Sequence, residues 1–182
     1  MWTCARCDAS GDLSRAAWKK PEDEPVWFYD LHPVARHLLR DHGDVPAMPN
    51  AHLAAQGTNN ANFHDVSELE FAINGIPQVE VDLITYIDDT LTVAQCKSND
   101  HLATDKTKTR TRPQRKCQVA AWLRADQLVF ATSAATWTNS TPGVIRSAIA
   151  AFPWGPLGPP AAHLITGLGI ATPETQALSH VA

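Results

Sequence analysis

The sequence predicts an α/β domain in which helices flank a mixed β-sheet. Between residues 67 and 87, two runs rich in Phe, Ile and Val are separated by an Asn-Gly pair, which is typical of a β-hairpin turn. An Asp-Asp pair at 88–89 then predicts a turn into a third strand. A helical segment and another apolar run of strand length follow, so we expect a parallel crossover from the third strand to the fourth.

The composition is that of a globular protein with one main domain. With 182 residues, of which 44% are hydrophobic, the chain can bury a core and carry a small appendage. The formal net charge is −4, so a nucleic-acid surface could arise only where basic residues cluster locally. No apolar run approaches the roughly 20 residues that span a bilayer, and the opening residues MWTCARCDAS lack the apolar core of a secretory signal. We therefore expect a cytoplasmic protein with no membrane partner.

Changes in composition and hydrophobic periodicity divide the chain into three parts. Residues 1–26 form a polar N-terminal appendage, residues 27–150 the main domain, and residues 151–182 a Pro- and Gly-rich tail that we expect to be loosely ordered. The main domain opens with a predicted helix that starts near His32 or Pro33, and the stretch NAHLAAQ could add a helical turn. The elements predicted after these are strands at 69–73, 79–87 and 91–97, a helix over QRKCQVAAWLRA, a strand in DQLVFATSA and a helix over PGVIRSAIAAF.

Charged and polar residues stand at the ends of the two central predicted strands. Glu80 and Asp82 share one strand face, about 7 Å apart, because side chains alternate along a strand. Gln95 and Lys97 share one face of the next strand, and the turn between the strands makes them antiparallel neighbours. All four side chains can therefore converge. Two close carboxylates repel unless a cation lies between them, so this arrangement is suited to a hard cation such as Mg²⁺.

At these residues the sequence resembles the PD-(D/E)xK nuclease superfamily. An acid in VEVDLI, a turn, and an apolar strand ending in AQCKS are similar to the Gln-x-Lys motif of the Mrr-like restriction endonucleases. The resemblance extends over about residues 66 to 150 and includes the helix and the strand that follow the lysine. It implies a restriction-endonuclease-like core and metal-dependent hydrolysis of DNA phosphodiester bonds, in restriction or in defence against foreign DNA. Double-strand cutting by a domain with one site would call for a homodimer.

The resemblance also implies a role for each residue of the motif. Asp82 would be the metal-binding carboxylate, and Gln95 would contact the metal or its water. The peptide carbonyl of Cys96 would be a further ligand, and Glu80 an accessory carboxylate. Lys97 would position or activate the attacking water and stabilise charge on the phosphate. The implied cofactor is Mg²⁺ or Mn²⁺, which polarises the phosphoryl oxygen and lowers the pKa of bound water.

Two departures from the family pattern leave other functions open. Many members carry a glutamate on the helix before the strands, whereas the predicted helix here offers none and Glu68 and Glu70 fall in the first hairpin strand. A glutamine also stands where a carboxylate would bind metal better. The alternative is therefore a catalytically weak or inactive nuclease-fold module that binds nucleic acid. In the simplest structural alternative, Glu80 and Asp82 form ordinary cross-strand ion pairs with Lys97.

A basic segment follows the motif lysine. The stretch KTKTRTRPQRK holds six of the 15 Lys and Arg residues and no acid. Its position beside the proposed site favours contacts to DNA phosphates, which position a nucleic acid without reading its sequence. The alternative is a solvated, flexible loop. The residues concerned are Lys106, Lys108, Arg110, Arg112, Arg115 and Lys116.

The N-terminus carries a CxxC pair. Four cysteines are too few for a disulfide framework in a chain of this length, so thiols or metal ligands are expected. Cys4 and Cys7 have the spacing of half a zinc site, but no second pair follows at a normal distance. The remaining ligands could come from another segment or a partner chain. A zinc-stabilised interaction domain is therefore a third hypothesis.

Overall fold

The computed structural model describes residues 2–3, 10–11, 43–58, 63–169 and 172–179. The chain divides into two compact units, Met1–Gly43 and Asp44–Ala182. In the first unit, β1 (Trp2–Thr3) pairs with β2 (Ser10–Gly11) in antiparallel fashion. The cysteines of the CxxC pair and the helix predicted near residue 32 lie outside the described residues.

The second unit is an α/β domain, as predicted, with a six-stranded mixed sheet flanked by helices. The strand order is β3-β4-β5-β6-β7-β8. The β5–β6 and β6–β7 pairs are parallel and the other three are antiparallel. No helix in the described part of the chain has the length and apolar character that crossing a membrane requires. The elements are α1 (Asp44–Ala54), β3 (Phe63–Ile73), β4 (Ile76–Ile87), β5 (Thr90–Lys97), α2 (Lys106–Leu123), β6 (Gln127–Thr132), α3 (Thr141–Ala151), β7 (Ala161–Thr166) and β8 (Glu174–Ala177).

Both predicted hairpin turns are confirmed as two-residue loops. Asn74 and Gly75 have φ angles of 52° and 75°, and Asp88 and Asp89 have φ angles of 46° and 63°. Positive φ at both central positions is the signature of a type I′ turn, whose twist matches that of the strands it joins. The first turn joins β3 to β4, and the second fixes the register that pairs residues 83–87 of β4 with residues 90–94 of β5.

The crossover from β5 to β6 is parallel, as predicted, but its helix is longer than expected. The basic segment is not a loop: it forms the first part of α2, which begins at Lys106. The carboxylate of Asp105 caps this helix by accepting the backbone N–H of Lys108 at 2.9 Å. Pro113 lies inside the helix, where a proline removes a backbone hydrogen bond and crowds the preceding turn.

The prediction of a loosely ordered C-terminal tail is wrong for its described residues. Two segments of it, β7 and β8, complete the sheet, and β7 lies parallel to β6. Leu164 and Ile165 of β7 are buried on opposite faces of the sheet. The Pro- and Gly-rich stretches lie in the connections before and after β7. Local composition therefore obscured a short strand whose burial depends on its neighbours.

The sheet has a core on each face, and β4 passes from one to the other. Helices α2 and α3 pack on one face and α1 on the other. Leu83 belongs to the core on the α1 face, whereas Val81 belongs to the core on the α2 face. Strict alternation would put both side chains on the same face. Side-chain alternation is therefore interrupted at the residue between them, Asp82, and we call this irregularity the bend in β4.

Candidate active site

The centre of the candidate site is the point at which β4 and β5 stop pairing. The last paired residues are Leu83 and Ala94. Beyond them, Asp82 Oδ2 accepts the backbone N–H of Cys96 at 2.7 Å. The same carboxylate oxygen accepts a hydrogen bond from the Gln95 side-chain amide. The bend in β4 thus places a half-buried carboxylate against the end of β5.

One cavity brings the predicted site residues together. It has a volume of about 170 Å³, and one of its walls is formed by the first half of β4 and the end of β5. Glu80, Asp82, Gln95 and Lys97 all line it, although side-chain alternation in β4 is interrupted between Val81 and Leu83. Its other wall is α2, which contributes three basic side chains. The complete lining is Val79, Glu80, Asp82, Gln95, Lys97, Arg112, Arg115 and Lys116.

Lys116 is the most unusual residue in this cavity. Its side chain is only 4% exposed. Its ammonium donates a hydrogen bond to the backbone carbonyl of Glu80, in the part of β4 beyond the bend. Burial lowers the pKa of Lys116 to about 8, an effect that Asp82 partly opposes. Burial disfavours the charged form of a lysine, so the ammonium of Lys116 is held in this cavity at an energetic cost.

The cavity carries a net positive charge. Two acids, Glu80 and Asp82, face four cationic side chains. Burial also lowers the pKa of Lys97, whereas the carboxylate of Asp82 raises it. Arg112 is held in place because its Nη1 donates to the carbonyl of Leu102 at 2.6 Å. An excess of fixed positive charge in a half-enclosed cavity is suited to binding an anion such as a phosphate group.

The strand residues also fit a hard cation. The amide nitrogen of Gln95 lies within hydrogen-bonding distance of Asp82 Oδ2 and 3.4 Å from the carbonyl oxygen of Cys96. A positively polarised group therefore already stands between two oxygens. Rotation of the amide would bring a third oxygen to them, and carboxylate, amide and peptide oxygens are ligands that Mg²⁺ accepts. In the described residues, no group of three or more His, Cys, Asp or Glu is arranged to hold a metal, so a site here would depend on the amide and the carbonyl.

Several predicted residues lie away from the cavity. Lys108 and Arg110 are exposed on α2 and do not line it. Glu70 lies opposite Glu80 in the β3–β4 register, but neither Glu68 nor Glu70 is part of the lining. The side chain of Lys106 and both candidate zinc ligands, Cys4 and Cys7, are outside the described part of the chain. The CxxC prediction therefore stays a prediction.

The basic segment contributes to the site more directly than its composition indicates. Arg112, Arg115 and Lys116 have i, i+3 and i+4 spacing, which places them on one face of a helix. This spacing is visible in the sequence, but it indicates a shared face only if the segment is known to be helical. A helix start at Asp105, which has the side chain of a good N-cap residue, would have revealed it.

Comparison with protein-family models, with curated proteins and with solved structures found no match for this chain. The function of this chain is therefore inferred from the cavity and from the side chains around it, above all Asp82 at the bend in β4, the half-buried Lys97 and the buried Lys116.

The cost of burying Lys116 predicts a pH-dependent stability. In the unfolded chain its pKa is about 10.4, so between pH 8 and that value the unfolded state binds a proton that the folded state has released. The free energy of unfolding should therefore gain, from this group, on the order of 3 kcal/mol as the pH rises through that window. Urea unfolding in EDTA at pH 7.5 and 10, for wild type and Lys116→Met, measures it. Other groups titrate in both proteins, so the difference between their pH dependences of stability isolates the contribution of Lys116. Equal pH dependences would contradict a lowered pKa for Lys116 in the folded protein.

Proposed function

We propose that this chain is a metal-dependent endonuclease that hydrolyses DNA phosphodiester bonds on a restriction-endonuclease-like core. The observation that carries the proposal is the single cavity shared by Asp82, Gln95 and Lys97 of the motif and by the basic face of α2. The cavity offers oxygen ligands on one side and fixed cations on the other, and hydrolysis of a phosphodiester needs both. A role in restriction or defence and a homodimer that cuts both strands belong to the same proposal.

The two walls of the cavity would have different roles in hydrolysis. Asp82, Gln95 and the carbonyl of Cys96 would hold Mg²⁺ or Mn²⁺, with Glu80 as an accessory carboxylate. Such a cation, when bound, polarises a phosphoryl oxygen and lowers the pKa of bound water. Lys97 would orient the attacking water and neutralise charge that develops on the phosphate.

The basic wall would hold the substrate. Arg112 and Arg115 can each offer several N–H donors to phosphate oxygens, and Lys116 adds a cation fixed by its bond to Glu80. Because Arg112 and Lys116 are already anchored to backbone carbonyls, little side-chain entropy is lost when a phosphate binds. This arrangement would position the scissile phosphate over the end of β5.

The alternative function is a module with the same core that binds nucleic acid without cutting it. One observation favours it: the Gln95 amide donates to Asp82, so it satisfies the carboxylate without a cation. In that case the net positive cavity alone would account for binding, and the affinity would fall with salt as counterions are released.

Incubation of supercoiled plasmid DNA with the protein and Mg²⁺ or Mn²⁺ tests the proposal. We expect nicked or linear product with either metal and none in EDTA, because the strand residues alone cannot activate water. Electrophoretic mobility shift in EDTA on the same DNA tests for the alternative. Binding without cleavage would favour the binding module, and neither binding nor cleavage would contradict both.

A further inference from the structure

A second and larger cavity lies beside the candidate active site. It has a volume of about 440 Å³ and runs between α2 and the end of α3. One wall is polar, with the amides of Gln114 and Gln118, and the other is apolar, with the ring of Phe152. Its lining is Thr111, Gln114, Arg115, Gln118, Ala148, Ala151, Phe152 and Pro153. A concave site that combines an apolar wall with a few hydrogen-bonding groups is typical of small-ligand recognition.

The two cavities share Arg115. Thr111, Gln114, Arg115 and Gln118 have i, i+3, i+4 and i+7 spacing, so they form one stripe along α2. The stripe that lines the active-site cavity lies next to it, and Arg115 belongs to both. A guanidinium in this position can hold a phosphate group while the adjoining parts of the same strand extend to either side.

The apolar wall is held in position by its neighbours. The ring of Phe152 lies 4.6 Å from that of Trp154, centre to centre and tilted by 55°. The indole N–H of Trp154 donates to the carbonyl of Ile149 at 2.8 Å, which anchors it to the last turn of α3. Phe152 also packs against the core beneath α2 and α3, so it is held rigidly where it lines the cavity. Aromatic side chains in such positions stack with nucleobases.

The shape of the second cavity decides how a base could reach it. In a DNA duplex the base edges lie at the bottom of a groove, and they are reached by parts of a protein that protrude. A depression between two helices cannot reach them. It can accept only a base that has left the stack, as enzymes that act on extruded bases do.

We propose that the cavity between α2 and α3 binds a nucleobase turned out of the duplex beside the phosphate held by Arg115. Phe152 stacks on the base, and Gln114 and Gln118 bond to its polar edge. The inference rests on the proposed function and adds a substrate preference to it: DNA in which a base is unpaired binds better, because less energy is needed to extrude that base.

Fluorescence anisotropy with labelled DNA tests this directly. Two duplexes of equal length, one fully paired and one with a single central mismatch, carry the same charge, so their affinity ratio removes the phosphate contribution. In EDTA, which prevents metal-dependent cleavage, we expect wild type to bind the mismatched duplex about tenfold more tightly. Gln118→Ala and Phe152→Leu should each reduce that ratio to near one. Gln78→Ala, an exposed glutamine of β4 outside both cavities, is the matched control and should retain it.

The outcomes separate this inference from the proposal on which it rests. A wild-type ratio near one, or a preference that survives in both cavity variants, overturns the base-binding site. Absence of plasmid cleavage in the presence of Mg²⁺ or Mn²⁺ overturns the endonuclease and leaves the affinity ratio as an independent result. Failure to bind either duplex overturns the base-binding site, whereas plasmid cleavage with Mg²⁺ or Mn²⁺ would still support the endonuclease.

Discussion

Asp82→Asn and Lys97→Met should each reduce metal-dependent DNA cleavage by about 10²–10³-fold or more, the range seen when one preorganised electrostatic group is removed from an active site. Asp82→Asn removes the negative charge that a cation requires at the bend of β4. Lys97→Met keeps an unbranched side chain of nearly the same length but removes the cation beside the phosphate. Both residues line the same cavity, so the two variants should fail in the same chemical step.

Initial cleavage rates on plasmid DNA, measured at saturating Mg²⁺, check this result. Asp82 accepts the N–H of Cys96, so each variant must also be shown to be folded, by circular dichroism and by its melting temperature. Arg146→Ala is a suitable control, because Arg146 is exposed on α3 and lines neither cavity. Folded variants of both residues that still cut DNA at the wild-type rate would contradict the site.

The strands around the site could be predicted because their signals are local. Asn74-Gly75 and Asp88-Asp89 adopt the positive φ angles that two-residue hairpin loops require. The first loop joins β3 to β4, and the second fixes the register of β4 against β5. Glu80 and Asp82 then line one cavity with Gln95 and Lys97, although alternation in β4 is interrupted at Asp82. No comparable local signal marks β7, because its burial depends on pairing with β6, a strand that is distant from it in the sequence.

The helical wall of the site could not be predicted in the same way. Thr residues and Pro113 disfavour a helix over the basic segment, whereas the Asp105 cap and burial of the helix face against the sheet favour it. The helix forms because tertiary packing outweighs the low helix propensity of these residues. The bend at Asp82 could not be predicted either. The alternation of apolar residues in the sequence of β4 continues through it, whereas the strand passes from one core to the other.

Gln95→Glu should make the stability of the protein strongly dependent on Mg²⁺. In the structure, the Gln95 amide donates to Asp82 and to the carbonyl of Cys96. A carboxylate at this position loses both hydrogen bonds and faces a second negative charge, so in EDTA the variant should be less stable by about 1–3 kcal/mol. With a cation bound, the same charge becomes a better ligand than the amide, and the variant should bind Mg²⁺ more tightly than wild type.

Thermal melts across a Mg²⁺ titration at fixed ionic strength measure the difference. A ligand that binds only the folded state stabilises it by RT ln(1 + [L]/Kd), or about 2.7 kcal/mol at a concentration of 100 Kd. For a chain of this size that corresponds to a rise of about 5–10 °C in the melting temperature of Gln95→Glu, and wild type should rise less. Gln78→Glu adds the same charge at an exposed position of β4 and should show no such response. If the new carboxylate only forms an ion pair with Lys97, the melting temperature of Gln95→Glu will not depend on Mg²⁺, and a metal site at Asp82 would then be excluded.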